Sequence, residues 1–134
     1  MSTLDLGIVG NCTVAALIDA EASLVWGCFP RLDGDAVFSA LLDGARPPER
    51  AADGAFALEL VDQAGAEQAY LPNTAILRTV LKDSHGGAVE VVDFCPRFAL
   101  FERVYRPPTI VRRVRPLAGR GHVPSSGVTA FAWG

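Results

Sequence analysis

Asp33 and Asp35 come closer to a catalytic arrangement than any other residues of this sequence. Two carboxylates can divide general acid and general base work when they flank a bond that is to be cleaved. Both flank Gly34, however, in a stretch whose composition is typical of a turn, and Asp35 stands where it can cap a short helix. We therefore expect these carboxylates to serve the structure rather than a reaction.

The other reactive side chains do not form a site. His85 falls in a predicted hairpin turn and His122 in the last part of the chain, so neither is placed to activate a nucleophile or to complete a metal site. The three cysteines, Cys12, Cys28 and Cys95, are odd in number and lack a CxxC spacing. We expect them to be small buried hydrophobes in a reducing compartment. The sequence predicts no catalytic residue, no metal and no cofactor.

Two binding functions are also poorly supported. GIVGNC at 7–12 lacks the further glycines of a dinucleotide-binding motif, and a strand rather than a helix follows it. Seven of the eleven arginines lie between residues 97 and 120, but the net charge is −3. Alternation along a strand places Arg113 and Arg115 on one face and Arg112 on the other. We expect ion pairs with Glu90, Asp93 or Glu102, or packing against a partner domain, rather than nucleic-acid binding.

The size and composition of the chain indicate one folded domain. The sequence has 134 residues, of which 50% are hydrophobic and 20% charged, as in ordinary globular proteins. The first residues lack the basic start of a signal peptide, and no apolar run reaches the roughly 18 residues that span a bilayer. These features favour a cytoplasmic protein without a membrane segment.

Short apolar runs separated by turn-forming residues predict an antiparallel β protein. The clearest hairpin runs from Ile76 to Phe94 around the turn at 83–87, and a second joins the strands that end at Asp19 and begin at Ser23. One short helix is predicted at Ala36–Leu42, between Asp35 and Gly44, and residues 45–53 read as a loop. The candidate strands are Leu6–Val9, Val14–Asp19, Ser23–Cys28, Ala55–Leu60, Glu67–Leu71, Ala75–Lys82, Ala88–Phe94 and Thr109–Arg115.

Two segments at the ends of predicted strands, here called the Pro-Arg exits, are similar in sequence: CFPRLD at 28–33 and FCPRFA at 94–99. Each places Pro-Arg directly after a strand. If the two strands are neighbours that point the same way, Arg31 and Arg97 reach the same rim. In the first exit we expect Trp26 and Phe29 to anchor the strand in the core and Pro30 to end it.

Six blocks of the sequence carry a resemblance to a known family. The blocks are GNCTVAALID, SLVWGCFPRLD, VFSALLDG, YLPNTAILRT, GGAVEVVDFCPRF and YRPPTIVRRVRPLAG. In this order they resemble the N-terminal domain of the trehalase-like branch of glycoside hydrolase family 15, over about residues 4–119. Where the family usually continues Pro-Arg with Phe-Asp-Ser, this chain has Leu32-Asp33-Gly34.

The resemblance implies an antiparallel β-sandwich that precedes an (α/α)6 catalytic barrel. Enzymes of this family hydrolyse α-glucosides such as trehalose with inversion, and their two catalytic glutamates belong to the barrel. We expect this chain to be non-catalytic and to have the barrel as its partner, normally in cis, with trehalose as a possible ligand. The candidate residues for the substrate rim or the domain interface are Asn11, Trp26, Pro30, Arg31, Asp33 and Arg97.

The end of the chain departs from the family, and this leaves two hypotheses open. We take residues 1–119 as the domain and residues 120–134 as an atypical tail that is disordered or results from a frameshift or a truncated gene, in which case part of the sandwich is missing. A stand-alone carbohydrate-binding or scaffold module is the alternative function, because β-sandwiches often bind sugars on aromatic side chains. Trp26, Tyr70 and Trp133 are its candidate platform residues.

Overall fold

The structure is a computed structural model that describes residues 5–42, 54–58 and 60–119. Strands and one 3-10 turn make up its regular structure, which confirms the all-β prediction. The strands are β1 (Leu6–Gly10), β2 (Ala15–Asp19), β3 (Leu24–Cys28), β4 (Ala36–Phe38), β5 (Gln63–Tyr70), β6 (Leu77–Asp83), β7 (Ala88–Phe94), β8 (Phe98–Leu100), β9 (Arg103–Tyr105) and β10 (Val111–Ala118). The predicted loop at 45–53 and the tail at 120–134 lie outside the described residues.

Two antiparallel four-stranded sheets form a β-sandwich. The first sheet has the order β1-β2-β3-β4 and the second has the order β10-β7-β6-β5. Val9, Ile18 and Leu24 of the first sheet form one buried cluster with Leu77 of the second and with Cys95. Because each fully buried aliphatic side chain contributes about 1.5–3 kcal/mol, this shared cluster is the main force that holds the sheets together.

Side chains of β5 also tie the two sheets by hydrogen bonds. The Gln68 side chain donates to the carbonyl oxygen of Asp19 at 2.8 Å. The Tyr70 hydroxyl donates to the carbonyl oxygen of Ile8 and accepts from its N–H, both at 2.8 Å. Since β1 is an edge strand, Tyr70 satisfies backbone groups that would otherwise be open to another chain.

The two predicted hairpins are confirmed, and aspartates stabilise both turns. In the β6–β7 turn the Asp83 carboxylate accepts from the N–H of Gly87 at 2.7 Å, and Gly86 has φ +86°. In the β2–β3 turn the Asp19 carboxylate accepts from the N–H of Ser23 at 2.8 Å. Asp and Gly are the residues that such turns favour, which is why the sequence located them.

The helix predicted at Ala36–Leu42 is wrong. Its first half is strand β4, which pairs with β3, and its second half is a 3-10 turn at Ala40–Leu42. Phe38 packs edge-on against Phe29, with ring centroids 6.5 Å apart, beside the shared core. A helix of two turns is marginal in water, so pairing with the open edge of β3 overrides the helical spacing.

The strand predicted at Ala55–Leu60 is reduced to a single bridge. Phe56 exchanges two backbone hydrogen bonds with Leu24, at 2.9 and 3.0 Å. Leu58 and Leu60 are buried in a second core cluster with Leu81. The apolar run at 55–60 therefore indicates side chains that are buried in the core and not a strand that pairs along its length.

A third, two-stranded sheet was not predicted. Strands β8 and β9 form a hairpin that pairs with neither large sheet, and all six of its strand residues are exposed. Its turn residues, Phe101 and Glu102, have φ of 50° and 61°. Neither is a residue type that favours positive φ, so the sequence lacks the usual signal for this turn.

Candidate functional site

Asn11 is a buried structural link and not an exposed rim residue. It is 2% exposed, and its side-chain nitrogen donates to the carbonyl oxygens of Pro96 and Pro107 at 2.8 and 2.7 Å. Its side-chain oxygen accepts from the N–H groups of Thr13 and Val14. With two donated and two accepted bonds the amide is fully satisfied. Asn11 thus clamps the chain on both sides of the β8–β9 hairpin to the β1–β2 turn.

Arg31 and Asp33 form an exposed ion pair with each other. The guanidinium and carboxylate are 2.9 Å apart, and the two side chains are 73% and 71% exposed. The Asp35 carbonyl oxygen accepts from the N–H of Phe29 across the same turn. Exposed pairs of this kind contribute little to stability, about 0–1 kcal/mol.

Trp26 does not anchor β3 in the core, contrary to prediction. A register irregularity lies between β2 and β3, and Gly27 faces inward, where an added Cβ would meet the rings of Phe29 and Phe38 at 3.3 Å. Trp26 must therefore face outward, and it is half-buried beside its cross-strand partner Leu17. Phe29, which directly follows the end of β3, does pack against the core, and Pro30 comes next in the chain.

Arg31 and Arg97 follow strands that belong to different sheets. These strands are therefore not neighbours, although the hypothesis of a common rim for the two Pro-Arg exits assumed that they are. The register still places the ends of β1 and β3 together, through Ala15 of β2. Asn11, after β1, binds the carbonyl of Pro96, after β7. Both Pro-Arg exits therefore lie at one end of the sandwich, here called the Asn11 end, and Arg97 is exposed there.

The buried pair Arg112–Asp93 links β10 to β7 on the core side. Two hydrogen bonds of 2.6 and 3.1 Å join the side chains, which are 6% and 0% exposed. Arg112 also donates to the Phe56 carbonyl oxygen and lies over the Phe56 ring. Burial raises the pKa of Asp93, while the hydrogen bonds and charge of Arg112 oppose that rise.

Glu90 is enclosed by three arginines on the other face of the second sheet. Its carboxylate lies 2.6 Å from Arg78, 3.1 Å from Arg115 and 3.4 Å from Arg113. The hydrogen bond from Arg78 is the largest influence that holds its pKa below the ordinary value. The predicted division of Arg112 from Arg113 and Arg115, and their pairing with acidic neighbours, is confirmed.

The two most buried carboxylates cannot act together on a glycosidic bond. Glu90 and Asp93 lie three residues apart on β7, so their side chains point to opposite faces of the sheet. Each is also occupied by arginine. Inverting hydrolysis needs two carboxyl groups roughly 6.5–9.5 Å apart with a water between them, and this pair offers no such arrangement.

The described residues contain no cluster of three or more potential metal ligands among their His, Cys, Asp and Glu side chains. Cys95 is buried, and burial raises the pKa of its thiol to about 11. Cys12 is exposed and Cys28 half-buried, so the expectation that all three are buried is wrong for these two. Within the same residues, no helix is long and apolar enough to cross a membrane.

Two shallow cavities are open on the surface. One, of about 340 Å³, is lined by Glu21, Leu60 and residues 63–65, and its single carboxylate cannot supply an acid–base pair. The other, of about 180 Å³, is lined by apolar side chains around Trp26 and by Cys28. Sugar sites need several polar groups to orient the hydroxyls, and neither cavity provides such a set.

Sequence reasoning missed the most exposed apolar feature of the molecule. The β8–β9 hairpin carries five large apolar side chains that are each at least 40% exposed: Phe98, Leu100, Phe101, Val104 and Tyr105. Phe98 and Tyr105 stack on each other with ring centroids 5.5 Å apart. The two short runs FAL and RVY contain apolar and aromatic residues that suit strands, but no turn motif separates them.

Comparison with known proteins gives consistent matches. Residues 4–116 match the family model "Trehalase-like, N-terminal". The chain is 41% identical over 93 residues to Trehalase 1 of Sulfolobus acidocaldarius, an alignment that covers 68% of this chain and 15% of that protein. It is 33% identical over 89 residues to Trehalase of Mycolicibacterium smegmatis, covering 66% of this chain and 12% of that protein.

No solved structure gives a significant match. The family match extends over more than four-fifths of the chain and includes β1 to β9 and most of β10, whereas the chain corresponds to a small N-terminal part of its relatives. In those relatives the domain is joined to further domains. The chain therefore belongs to the trehalase-like N-terminal domain family.

Proposed function

We propose that this chain is the non-catalytic N-terminal domain of a family 15 glycoside hydrolase and that it supports an (α/α)6 catalytic barrel. The barrel would hydrolyse α-glucosidic bonds, as in trehalose, with inversion. One observation carries the proposal: the two most buried carboxylates of this domain, Asp93 and Glu90, both form ion pairs with arginines and lie on opposite faces of the sheet. The domain therefore contributes packing rather than acid–base groups.

The alternative function, a carbohydrate-binding module, has less support. Tyr70 uses its hydroxyl to bind the backbone of Ile8, which leaves only its ring for contact with a sugar. Trp26 is half-buried among apolar side chains that offer no hydrogen bonds to hydroxyl groups. Trp133 lies outside the described residues.

The direct test uses the purified 134-residue chain. We expect no glucose release from trehalose or malto-oligosaccharides, and no change in tryptophan fluorescence when these sugars are added at concentrations of about 1 mM, a typical upper range for enzyme substrates. Glucose release that persists in a Glu90→Gln and Asp93→Asn double variant would point to preparation contaminants. Release that this double variant abolishes, while circular dichroism shows that the variant remains folded, would contradict the proposal. A saturable fluorescence change would favour the binding module.

A further inference from the structure

The β8–β9 hairpin has an unusual amount of exposed apolar surface for so short an element. Phe101 at the turn is 85% exposed, and the neighbouring Leu100 and Val104 are 48% and 54% exposed. A hairpin of two three-residue strands is marginally stable on its own in water, and this one pairs with neither large sheet. Contiguous exposed apolar residues of this kind mark an interaction surface.

The hairpin is nevertheless held firmly at its base. Asn11 binds the carbonyl oxygen of Pro96 just before β8 and that of Pro107 just after β9. The stacked pair of Phe98 and Tyr105 closes the two strands above that clamp. An apolar element with a fixed base loses little conformational entropy when it enters a recess, which favours binding.

The hairpin is bordered by positive charge. Arg97, Arg103 and Arg106 are exposed around it, and Glu102 is the one acidic residue between 97 and 106. Within the described residues, no carboxylate forms an ion pair with these three arginines. Aromatic residues and arginine are the types enriched at the centres of protein interfaces. The complementary surface is an apolar recess bordered by carboxylates.

We propose that the β8–β9 hairpin is the element through which this domain docks on the further domain of a trehalase-family protein. The inference rests on the proposed function and adds to it the surface through which this domain contacts the catalytic domain. The occupant follows from the relatives, in which the matched region is only 15% and 12% of the protein and is joined to further domains. The hairpin tip, Leu100 to Val104, enters the recess, and the arginines meet its acidic border.

The test measures binding between this chain and a defined probe. The probe is the part of Sulfolobus acidocaldarius Trehalase 1 that follows the region matched by this chain, produced separately. Binding is measured by isothermal titration for the wild-type chain and for Phe101→Ser and Val104→Ser. The matched control is Val61→Ser, which removes an equally apolar, 47% exposed side chain from a turn outside the hairpin. Circular dichroism and thermal melts check that the variants remain folded.

We expect the wild-type chain and Val61→Ser to bind alike, and each hairpin variant to bind about tenfold or more weakly, as for residues at an interface centre. If all four chains bind equally, the hairpin proposal is wrong while the supporting role of the domain stands. If the wild-type chain does not bind the probe, both the hairpin proposal and the supporting role are overturned. Binding of the wild-type chain to a second copy of itself, abolished by Phe101→Ser and without binding to the probe, would identify a homodimer surface instead.

Discussion

Asp93 is a buried carboxylate of the kind found in active sites, but here it forms an ion pair with Arg112 that stabilises the fold. Both side chains are almost completely buried, and their two hydrogen bonds join β7 to β10. The cost of burying either charge is offset only while the other is present. Sequence reasoning named Asp93 as a candidate partner of the arginines, because alternation fixes the face of each residue on a strand. It could not show how deeply the pair is buried, since that depends on the opposite sheet.

The first prediction concerns this pair. Asp93→Ala leaves the Arg112 guanidinium buried without a counter-charge, and we expect it to lower the free energy of unfolding by about 3–5 kcal/mol. The double variant Asp93→Leu with Arg112→Met removes both charges and should lose much less. Urea denaturation followed by circular dichroism measures both. A double variant that is as unstable as the single one would contradict the role assigned to the pair.

A second prediction concerns Glu90 and pH. The folded-state pKa of Glu90 lies below its ordinary value of 4.5, chiefly through the Arg78 hydrogen bond. A carboxyl group of this kind stabilises the fold above its unfolded pKa, and the stabilisation is lost as the pH falls through the folded pKa. We therefore expect stability to decrease on acidification below about pH 4.5. In Glu90→Gln that decrease should be smaller.

Urea denaturation at a series of pH values from about 3 to 7, which brackets the ordinary carboxyl range, provides the comparison. The matched control is Glu102→Gln, which neutralises an exposed carboxylate in the β8–β9 turn. We expect the control to follow the wild-type pH profile. Parallel profiles for the wild-type chain and Glu90→Gln would show that the arginine cluster does not lower the pKa of Glu90.

At the scale of elements, the sequence located those strands and turns whose residues favour them locally. Asp83 and Gly86 mark the β6–β7 turn because their types match its backbone geometry. The Ala36–Leu42 segment was misassigned because its own apolar spacing does not show that the neighbouring strand β3 has an open edge with which it can pair. The outward position of Trp26 depends on the register irregularity between β2 and β3, which no local pattern indicates.

The third prediction tests Asn11 as the link between elements. Asn11→Asp can still accept from the N–H groups of Thr13 and Val14, but it cannot donate to the carbonyls of Pro96 and Pro107. Since two partly buried carbonyl oxygens lose their partners, we expect a loss of about 2–4 kcal/mol in the free energy of unfolding. Amide hydrogen exchange should accelerate in β8 and β9 and remain slow at Val14.

Asn73→Asp is the control for this change, because Asn73 is an exposed turn residue with positive φ outside the clamp. It should leave both the stability and the exchange rates near those of the wild-type chain. Unchanged exchange in β8 and β9 of Asn11→Asp would mean that the hairpin is held by contacts other than the clamp.

At the scale of the whole molecule, the β-sandwich has an exposed apolar hairpin, β8–β9, at its Asn11 end. We expect the isolated chain to have poor solubility or to self-associate, because that surface has no partner. Sedimentation velocity at increasing concentration measures this, and Phe101→Glu should shift the distribution toward monomer. A monodisperse wild-type monomer with a cooperative melt would contradict the expectation.

The family resemblance was available from six sequence blocks, whereas the docking surface was not. The blocks contain residues of β2, β3, β4, β6, β7 and β10, which build both large sheets. The hairpin residues 98–105 fall almost entirely between two of the blocks, and their role depends on a partner outside this chain. The sequence pattern of one chain indicates the residues that stabilise its own fold, but it does not indicate which of its surfaces a partner domain covers.

The measurement that tests the central claim most directly is a domain exchange. The 93 residues of this chain that align with Sulfolobus acidocaldarius Trehalase 1 replace their counterparts in that enzyme, and trehalose hydrolysis is compared with that of the parent enzyme and of a deletion lacking the region. We predict that the deletion is inactive and that the exchanged enzyme hydrolyses trehalose within about tenfold of the parent, a difference of about 1.4 kcal/mol in transition-state stabilisation. A deletion that keeps full activity would contradict the claim that this domain supports the catalytic one.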